Sequence, residues 1–274
     1  MRLGGFVIHG NSADTLATCL DGLRAVCDDV VAVDSGSTDG SADLVQRQGV
    51  RAVSHPWEGY GAARAAGARA LKGCDYLLFL DSDEWLTRES IESLRRFKAL
   101  TDPHPVYRLG IHDWAELPEG RFLFRTLWNI RLLRVDAATW QPRMIVHESV
   151  GRKNTARYPA FIEHRYATSL ERRQAKEDRY ALLWALRAYL EGKRRKAAWP
   201  QRAAHLLRNA VVKGALFRGG ASGLRLSWNA AQYHARKYEY LAELHRGGHP
   251  ELVQALREER YRDVFRLIEG SKHR

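Results

Sequence analysis

Short apolar runs alternate with amphipathic segments through the first half of the chain. Four runs have the length and composition of buried strands, at residues 3–8, 30–33, 50–53 and 76–80. Apolar residues recur at helical spacing in the segments between them, at 16–26, 42–48 and 61–71, and again at 85–99. Repeated strand and helix units predict an α/β fold, in which helices cover a mostly parallel sheet.

Polar clusters follow the ends of three of these predicted strands, at residues 9–11, 34–40 and 81–84. In open sheets of this type, ligands bind beyond the carboxyl ends of the strands. We therefore expect the three clusters to converge on one crevice.

The cluster at 81–84 reads Asp81-Ser82-Asp83-Glu84 and directly follows the apolar run that ends at Leu80. Alternation along an extended chain would point Asp81 and Asp83 to the same side. A hard divalent ion is commonly held by few protein carboxylates together with diphosphate and water oxygens, so the pair predicts a metal and nucleotide-diphosphate site. The alternative is structural: Ser82 or Asp83 would cap the helix predicted from residue 85.

The cluster at 34–40 contains Gly36 and Gly40, which allow backbone conformations that other residues avoid. Asp34 can accept hydrogen bonds from a ribose or a base edge, and Asp39 or Ser41 can cap the next helix. An ordinary strand-to-helix turn would also explain the glycines. Neither Gly-x-Gly-x-x-Gly nor Gly-x-x-x-x-Gly-Lys occurs in the sequence, which disfavours the two common phosphate-binding loops.

The order of these motifs resembles the inverting family 2 glycosyltransferases of the GT-A fold. The resemblance rests on an Asn after the first strand, Val-Asp-Ser-Gly-Ser-Thr-Asp-Gly at 33–40, Trp-Glu-Gly-Tyr-Gly at 57–61 and Leu-Asp-Ser-Asp-Glu at 80–84. It continues through Arg-Leu-Leu-Arg at 131–134, Val-His-Glu at 146–148, His-Arg-Tyr at 164–166 and the segment 176–180. More narrowly, the chain is similar to the bacterial beta-1,4-glucosyltransferases that extend the lipopolysaccharide inner core.

The resemblance implies a role for each matching position. The implied donor-binding residues are Asn11, Asp34, Ser35, Gly36, Asp39, Arg64, Asp81 and Ser82. The implied ligands of a divalent metal, Mg²⁺ or Mn²⁺, are Asp83 and His164. The implied acceptor-side residues are Trp57, Glu84, Arg134 and His147. The donor would be a nucleotide sugar, most simply a UDP-sugar, and the acceptor a lipopolysaccharide core or a related glycolipid.

One position pair departs from the family pattern. The family has Lys-Asn-Glu after the first strand, whereas this chain has Gly10-Asn11-Ser12. The cation and the acid that help to hold the nucleotide are therefore missing. A changed donor nucleotide, weaker binding or loss of activity would each be compatible with this departure.

Inversion by single displacement needs a base for the acceptor hydroxyl. Glu148 is the candidate, because the family pattern has an acid at this motif and the apolar residues around it would bury it and raise its pKa. The alternative is an ion pair with Arg143 or Arg152.

The charge of the chain is unevenly distributed. Its net charge is +12, with −3 in residues 1–150 and +15 in residues 151–274. Basic and aromatic residues together favour an anionic membrane surface or a phosphorylated glycolipid as partner. Nucleic acid is disfavoured, because no nucleic-acid-binding motif occurs and the first half is acidic. A solvated basic face remains the plainer alternative.

A helix over 202–217 would place Leu206, Leu207, Ala210, Val211, Gly214 and Phe217 on one apolar arc. Such an arc suits a membrane surface or core packing equally.

Cys19, Cys27 and Cys74 form no Cys-x-x-Cys pair, which predicts buried thiols and no disulfide framework. No signal-peptide core or membrane-spanning stretch is found, which predicts a cytoplasmic protein that is peripheral at the inner membrane face. We expect a catalytic domain at 1–165 and a basic helical extension at 166–274. The competing functions are sugar transfer to a polyprenyl phosphate, and surface binding by a catalytically inactive relative.

Overall fold

A computed structural model describes residues 1–143, 145, 150, 154–194 and 196–270 of the chain. The strands are β1 (Leu3–His9), β2 (Asp29–Asp34), β3 (Arg51–Ser54), β4 (Tyr76–Asp81), β5 (Glu84–Leu86), β6 (Val106–Leu117), β7 (Gly120–Arg134) and β8 (Ala156–Ala167). The helices are α1 (Leu16–Val26), α2 (Ser41–Arg47), α3 (Tyr60–Ala70), α4 (Arg88–Phe97), α5 (Leu170–Leu190), α6 (Ala198–Leu207), α7 (Ala215–Leu244), α8 (Pro250–Arg257) and α9 (Tyr261–Gly270).

The strands form a mixed sheet in the order β3-β2-β1-β4-β7-β6-β8-β5. Strands β3, β2, β1 and β4 are parallel to one another. On its other side β4 pairs antiparallel with β7, and β5 pairs antiparallel with β8. The four parallel strands are the four that the apolar runs predict. The predicted α/β fold, with helices beside the sheet and at the C-terminal end, is confirmed.

The helix predicted over 85–99 is wrong at its beginning. Residues Glu84–Leu86 form β5, and the helix starts only at Arg88. The side chain of Thr87 caps it by accepting a hydrogen bond from the Ser90 amide. The structural alternative for the cluster at 81–84, a helix cap by Ser82 or Asp83, is therefore excluded.

Apolar side chains pack on both faces of the parallel strands. On one face, α3 comes so close to β1 that a Cβ on Gly67 would lie 2.6 Å from the Phe6 ring, so only glycine fits there. The Phe6 ring stacks on Phe79, and the edge of Trp140 meets both rings. Cys19 and Cys74 are buried and Cys27 is partly buried, and all three thiols are free, as predicted.

The chain divides into two compact units. Unit 1 contains residues 1–112 and, apart from Ile145, the described residues from 127 to 164. Unit 2 contains residues 113–126, Ile145 and the described residues from 165 onward. Unit 1 contains all of the predicted donor-site residues. The main helix pairs of unit 2 are α5 with α7 and α6 with α7.

The single apolar arc predicted over 202–217 is wrong, because the helix does not continue through this segment. Helix α6 ends at Leu207, a five-residue π-helical turn follows at Arg208–Val212, and Gly214 is left-handed with φ of 72°. Phe217 therefore belongs to the next helix, α7. None of the helices in the described ranges combines the length and apolar composition that a membrane crossing needs.

Candidate functional site

Sheet register brings the predicted polar clusters together at one edge of unit 1. The last residue of β1, His9, lies beside Asp34 of β2, and the preceding Ile8 lies beside Asp81 of β4. Asp34 and Asp81 are thus on the two strands that flank β1, about 10 Å apart at the usual strand spacing. The expected convergence of three strand ends is present in the fold.

The turn after β2 is organised by the carboxylate of Asp34. Its Oδ1 accepts hydrogen bonds from the Ser37 hydroxyl at 2.6 Å and from the Ser37 and Gly36 amides at 3.0 and 3.2 Å. Gly36 has φ of 96°, which the absence of a Cβ permits. One oxygen of Asp34 therefore fixes the turn, and none of these bonds uses the other oxygen.

The loops after β1 and β2 are tied together by side chains. Asn11 has φ of 50°, and its Oδ1 accepts a hydrogen bond from the Thr38 amide at 2.7 Å. Asp39 accepts from the Ala13 amide through Oδ2 and from the Ser41 amide and hydroxyl through Oδ1. The predicted donor-binding residues Asn11 and Asp39 therefore shape the rim of the crevice through these bonds.

The first loop also reaches the third cluster. The hydroxyls of Ser12 and Ser82 lie 2.9 Å apart, and the Ser12 amide donates to Ser41 Oγ at 2.9 Å. At Gly10, a Cβ would meet only Ser35 Cβ, at 3.8 Å. Ser12 therefore links the loop to the cluster at 81–84, at a position where the family pattern has an acid.

Two buried polar atoms at the ends of β1 and β2 stand out. Neither Ser35 Oγ nor His9 Nε2 has a hydrogen-bond partner among the described residues. His9 is 4% exposed, and its Nδ1 lies 3.4 Å from Ser37 Oγ. Burial lowers the pKa of His9 in spite of the nearby carboxylates of Asp34 and Asp39, so its ring is neutral at pH 7. An unpaired buried polar atom costs free energy that a bound ligand can recover.

Asp81 is held by two buried arginines. Arg64 of α3 donates to Asp81 Oδ1 at 2.7 Å, and Arg131 of β7 donates to Oδ2 at 2.9 Å. Both guanidinium groups also lie over the ring of Phe79, at 4.7 and 5.1 Å from its centre. Burial opposes ionisation of Asp81, but Arg131 and Arg64 hold its pKa below the usual value, so the group is a carboxylate.

Glu84 belongs to the same network. Its Oε1 accepts from Arg131 at 2.6 Å, and its Oε2 accepts from the Asp81 amide at 3.0 Å. Burial raises the pKa of Glu84, and Arg131 opposes this effect. With 2% of its surface exposed, Glu84 orients Arg131 and the backbone of Asp81 rather than presenting a surface to an acceptor.

Asp83 and His164 are brought together by the pairing of β5 with β8. Glu84 lies opposite His164 in this ladder, so the residue before it, Asp83, comes close to the same imidazole. Asp83 Oδ2 and His164 Nε2 are 3.6 Å apart, and both side chains are partly exposed. Among the described residues, no group of three or more potential metal ligands is found. One carboxylate and one imidazole fit a cation that takes its other ligands from diphosphate and water.

The other predicted acceptor-side residues and the predicted base are not part of the network around Asp81 in the described part of the chain. Trp57 is half-buried and packs edge-on against Tyr60 at 4.8 Å. Arg134 lies opposite Tyr76, at the far end of β4 from Asp81, and its guanidinium binds Asp136 at 2.8 Å. The structure therefore does not bring Arg134 to the strand-end cluster. Glu148 and His147 lie outside the described residues.

Two site residues were not singled out from the sequence. Arg131 belongs to a family motif in the sequence, and the pairing of β7 with β4 places it against Asp81 and Glu84. His9 is part of the first polar cluster, but a histidine after an apolar run gives no sign of burial. A charged residue within an otherwise apolar strand sequence is the signal that could have identified Arg131.

Comparison with known sequences supports the family that the motifs predict. Residues 6–114 match the family described as Glycosyl transferase family 2. The chain is 29% identical over 208 residues to the lipopolysaccharide core biosynthesis glycosyltransferase LpsC of Rhizobium meliloti (strain 1021), which covers 71% of this chain and 74% of that protein. An uncharacterized glycosyltransferase of Rickettsia felis is 31% identical over 88 residues, or 32% of this chain and 31% of that protein.

Solved structures give a more distant likeness. The glucosyl-3-phosphoglycerate synthase from Mycobacterium tuberculosis, in complex with Mn²⁺, UDP and glucosyl-3-phosphoglycerate, is 21% identical with a TM-score of 0.33, covering 42% of this chain and 44% of that chain. The complex of that enzyme with Mg²⁺ and UDP is 20% identical with a TM-score of 0.34, covering 43% and 44%.

The mixed α/β sheet and the match over residues 6–114 make this part of the chain similar to the family 2 glycosyltransferases. More narrowly, the chain is similar to the lipopolysaccharide core biosynthesis glycosyltransferase LpsC.

Proposed function

We propose that this protein transfers a sugar, with inversion, from a nucleoside-diphosphate sugar to a saccharide acceptor of the lipopolysaccharide-core type. The observation that carries the proposal is the strand-end crevice of unit 1. Its rim combines the carboxylates of Asp34 and Asp81 with the unpartnered polar atoms of Ser35 and His9. The relation to LpsC supports the class of acceptor.

The donor's nucleoside would lie against the ends of β1 and β2. Ser35 Oγ and His9 Nε2 can donate or accept hydrogen bonds there, depending on the tautomer of the ring. Asp34 offers the carboxylate oxygen that the turn does not use to a ribose hydroxyl. A UDP-sugar is the simplest donor, and the small residues Gly10 and Ser12 leave room where the family has longer side chains.

The diphosphate would lie at the cluster 81–84. Asp83 and His164 would hold a divalent cation, Mg²⁺ or Mn²⁺, which supplies positive charge to the departing diphosphate. Arg64 and Arg131 keep Asp81 ionised and fix its orientation. The network thus prepares a fixed arrangement of charge before the donor binds.

The acceptor hydroxyl needs a base, and Glu148 remains our candidate from the family pattern. Trp57 and His147 remain candidates for acceptor binding on the same ground, whereas Arg134 is set aside because it lies at the far end of β4 from Asp81. Because acceptors of this type are carried by lipid, we also propose that the protein works at the inner face of the cell membrane. Polyprenyl phosphate is the alternative acceptor.

The test is a panel of nucleotide sugars assayed with Mn²⁺, with Mg²⁺ and with excess chelator. We expect one donor to raise the melting temperature in the presence of metal and to be hydrolysed slowly without acceptor. Transfer to a purified lipopolysaccharide-core acceptor, but not to polyprenyl phosphate, is the expected product result. Tight donor binding with no turnover under any condition would contradict transfer and favour an inactive binding protein.

A further inference from the structure

Exposed apolar side chains are concentrated in one part of unit 2. Ten large apolar side chains are exposed in the described part of the chain, and seven of them lie between residues 199 and 228. Four fall within eleven residues of sequence, namely Leu207, Val211, Val212 and Phe217. We call the segment 207–217, where α6 gives way to α7, the α6–α7 corner.

The polarity of this corner is inverted. Its buried positions are occupied by Asn209, Ala210 and Ala215, whereas Val212 and Phe217 are 75% and 76% exposed. A corner facing water would place its large apolar residues inward and its polar ones outward. Large apolar groups that cluster on a surface mark a place of interaction.

The corner is firmly held by the rest of unit 2. Lys213 Nζ donates to the carbonyl of Thr126 at 2.9 Å, and Arg218 donates to the carbonyls of Leu123 and Phe124 at 2.6 and 3.2 Å. Helix α7 is broken at Gly220, with φ of 51° and ψ of −131°, and a Cβ on Gly223 would lie 1.9 Å from the carbonyl oxygen of Ala215, so the residues before the break pack tightly against those after it. The exposed side chains are therefore displayed by an anchored surface.

The charge around the corner identifies the kind of partner. Residues 199–228 contain five basic residues and no Asp or Glu. Arg202 and Arg225 are within ion-pair distance of carboxylates outside this segment, Glu239 and Glu119. Among the described residues, Arg208, Lys213 and Arg218 have no carboxylate within ion-pair distance. A second copy of the chain would bring the same positive charge against the corner, whereas an anionic lipid surface supplies the opposite charge.

We propose that the α6–α7 corner docks on an anionic lipid bilayer by inserting Leu207, Val211, Val212 and Phe217 among the headgroups, with the exposed Arg208 facing lipid phosphates and the anchored Lys213 and Arg218 adding positive charge beside it. This mode combines a small apolar insertion with electrostatic attraction. It refines the membrane location given with the proposed function, because it names the surface and does not require sugar transfer.

The test is co-sedimentation with vesicles of phosphatidylcholine containing phosphatidylglycerol. The variant Val212→Ser/Phe217→Ser should bind these vesicles at least about tenfold more weakly than the unaltered protein, since each lost apolar group removes part of the insertion energy. The matched control Leu100→Ser/Leu190→Ser removes two exposed apolar side chains elsewhere and should bind normally. A second variant, Leu207→Ser/Val211→Ser, tests the same surface independently.

Several results would overturn the proposal. They are absence of vesicle binding by the unaltered protein, and equal binding by the corner variants and the control. Light scattering adds a third: a dimer of the 31.2-kDa chain that the corner variants dissociate would assign the surface to self-association. Donor hydrolysis, measured on each variant, shows whether unit 1 is intact. Sugar transfer by a protein that does not bind vesicles would contradict the docking surface but not the proposed function. Vesicle binding without sugar transfer would contradict the proposed function but not the docking surface.

Discussion

The strand-end cluster of unit 1 and the α6–α7 pair of unit 2 handle buried ionisable groups in opposite ways. In unit 1, Asp81 and Glu84 stay next to Arg64 and Arg131, at 2.6 to 2.9 Å. In unit 2, the rings of His205 and His234 stack with their centres 3.3 Å apart. Burial, followed by the charge of Lys237, lowers the pKa of His234 from its ordinary 6.5 to about 2.

The difference shows what each region is suited to. Unit 1 keeps Asp81 ionised by pairing it with two arginines, in the same cluster as Asp83, the carboxylate that we propose binds a cation. In the α6–α7 pair, burial instead keeps His234 neutral, and it lowers the pKa of the neighbouring Lys237 to about 8. Of the cations in and next to the α6–α7 corner, Arg208 and Arg218 are exposed, where an anionic partner can reach them. Four experiments test this comparison, beginning with the largest expected effect.

Replacing Arg131 with Met should cause the largest loss of unfolding free energy among these variants. Glu84 would lose its guanidinium partner and Asp81 one of two, and an unpaired buried carboxylate costs about 3–5 kcal/mol of unfolding free energy. Arg134→Met, three residues along the same strand, removes an exposed pair with Asp136 and should cost at most about 1 kcal/mol. Urea unfolding of both variants measures the two values. Similar losses for both would mean that the buried network adds no stability of its own.

Asp83→Asn should abolish most of the activity while the fold survives, because the side chain is partly exposed. Loss of one electrostatic contact to the transition state corresponds to a rate reduction of about 10² to 10³. The exposed Asp21→Asn serves as control. Transfer rates with and without metal give the result, and full activity in excess chelator would remove the metal role of Asp83.

Glu148→Gln should lower kcat by about 100-fold while donor affinity stays nearly unchanged, because a general base acts only in the transition state. The measurement compares kcat with the dissociation constant of the nucleotide sugar. An equal loss of donor binding would show instead that Glu148 supports structure.

The histidine pair of unit 2 should make stability depend on pH. In the unfolded chain His234 is protonated below about pH 6.5, whereas in the folded chain it stays neutral down to about pH 2. The unfolded state therefore binds more protons in this range, and the free energy of unfolding falls as the pH falls. The slope is at most about 1.4 kcal/mol per pH unit for one such group. His234→Phe should flatten the dependence between neutral and mildly acidic pH, and His245→Phe, at an exposed position, should not. Identical slopes for all three proteins would contradict the assignment.

The strands β1 to β4 and the three polar clusters at their ends could be predicted from the sequence, because both are local patterns. A buried parallel strand is a short apolar run, and the polar residues that follow it are next in sequence. The family could be predicted for the same reason, since its motifs lie at these ends. The helix expected from Trp85 failed because Glu84–Leu86 pairs with β8, which is far away in sequence.

The sequence by itself determined the order of elements, the acidic residues at the strand ends and the basic character of the second half. Tertiary structure decided which charges meet: Arg131 with Asp81 and Glu84, and His164 with Asp83. It also decided that the 207–217 segment turns at Gly214 and displays Val212 and Phe217 instead of forming one arc. The physical reason is the same in each case. Pairing between distant strands and packing between helices are long-range interactions, and the local pattern that selects a strand or a helix carries no information about its partner.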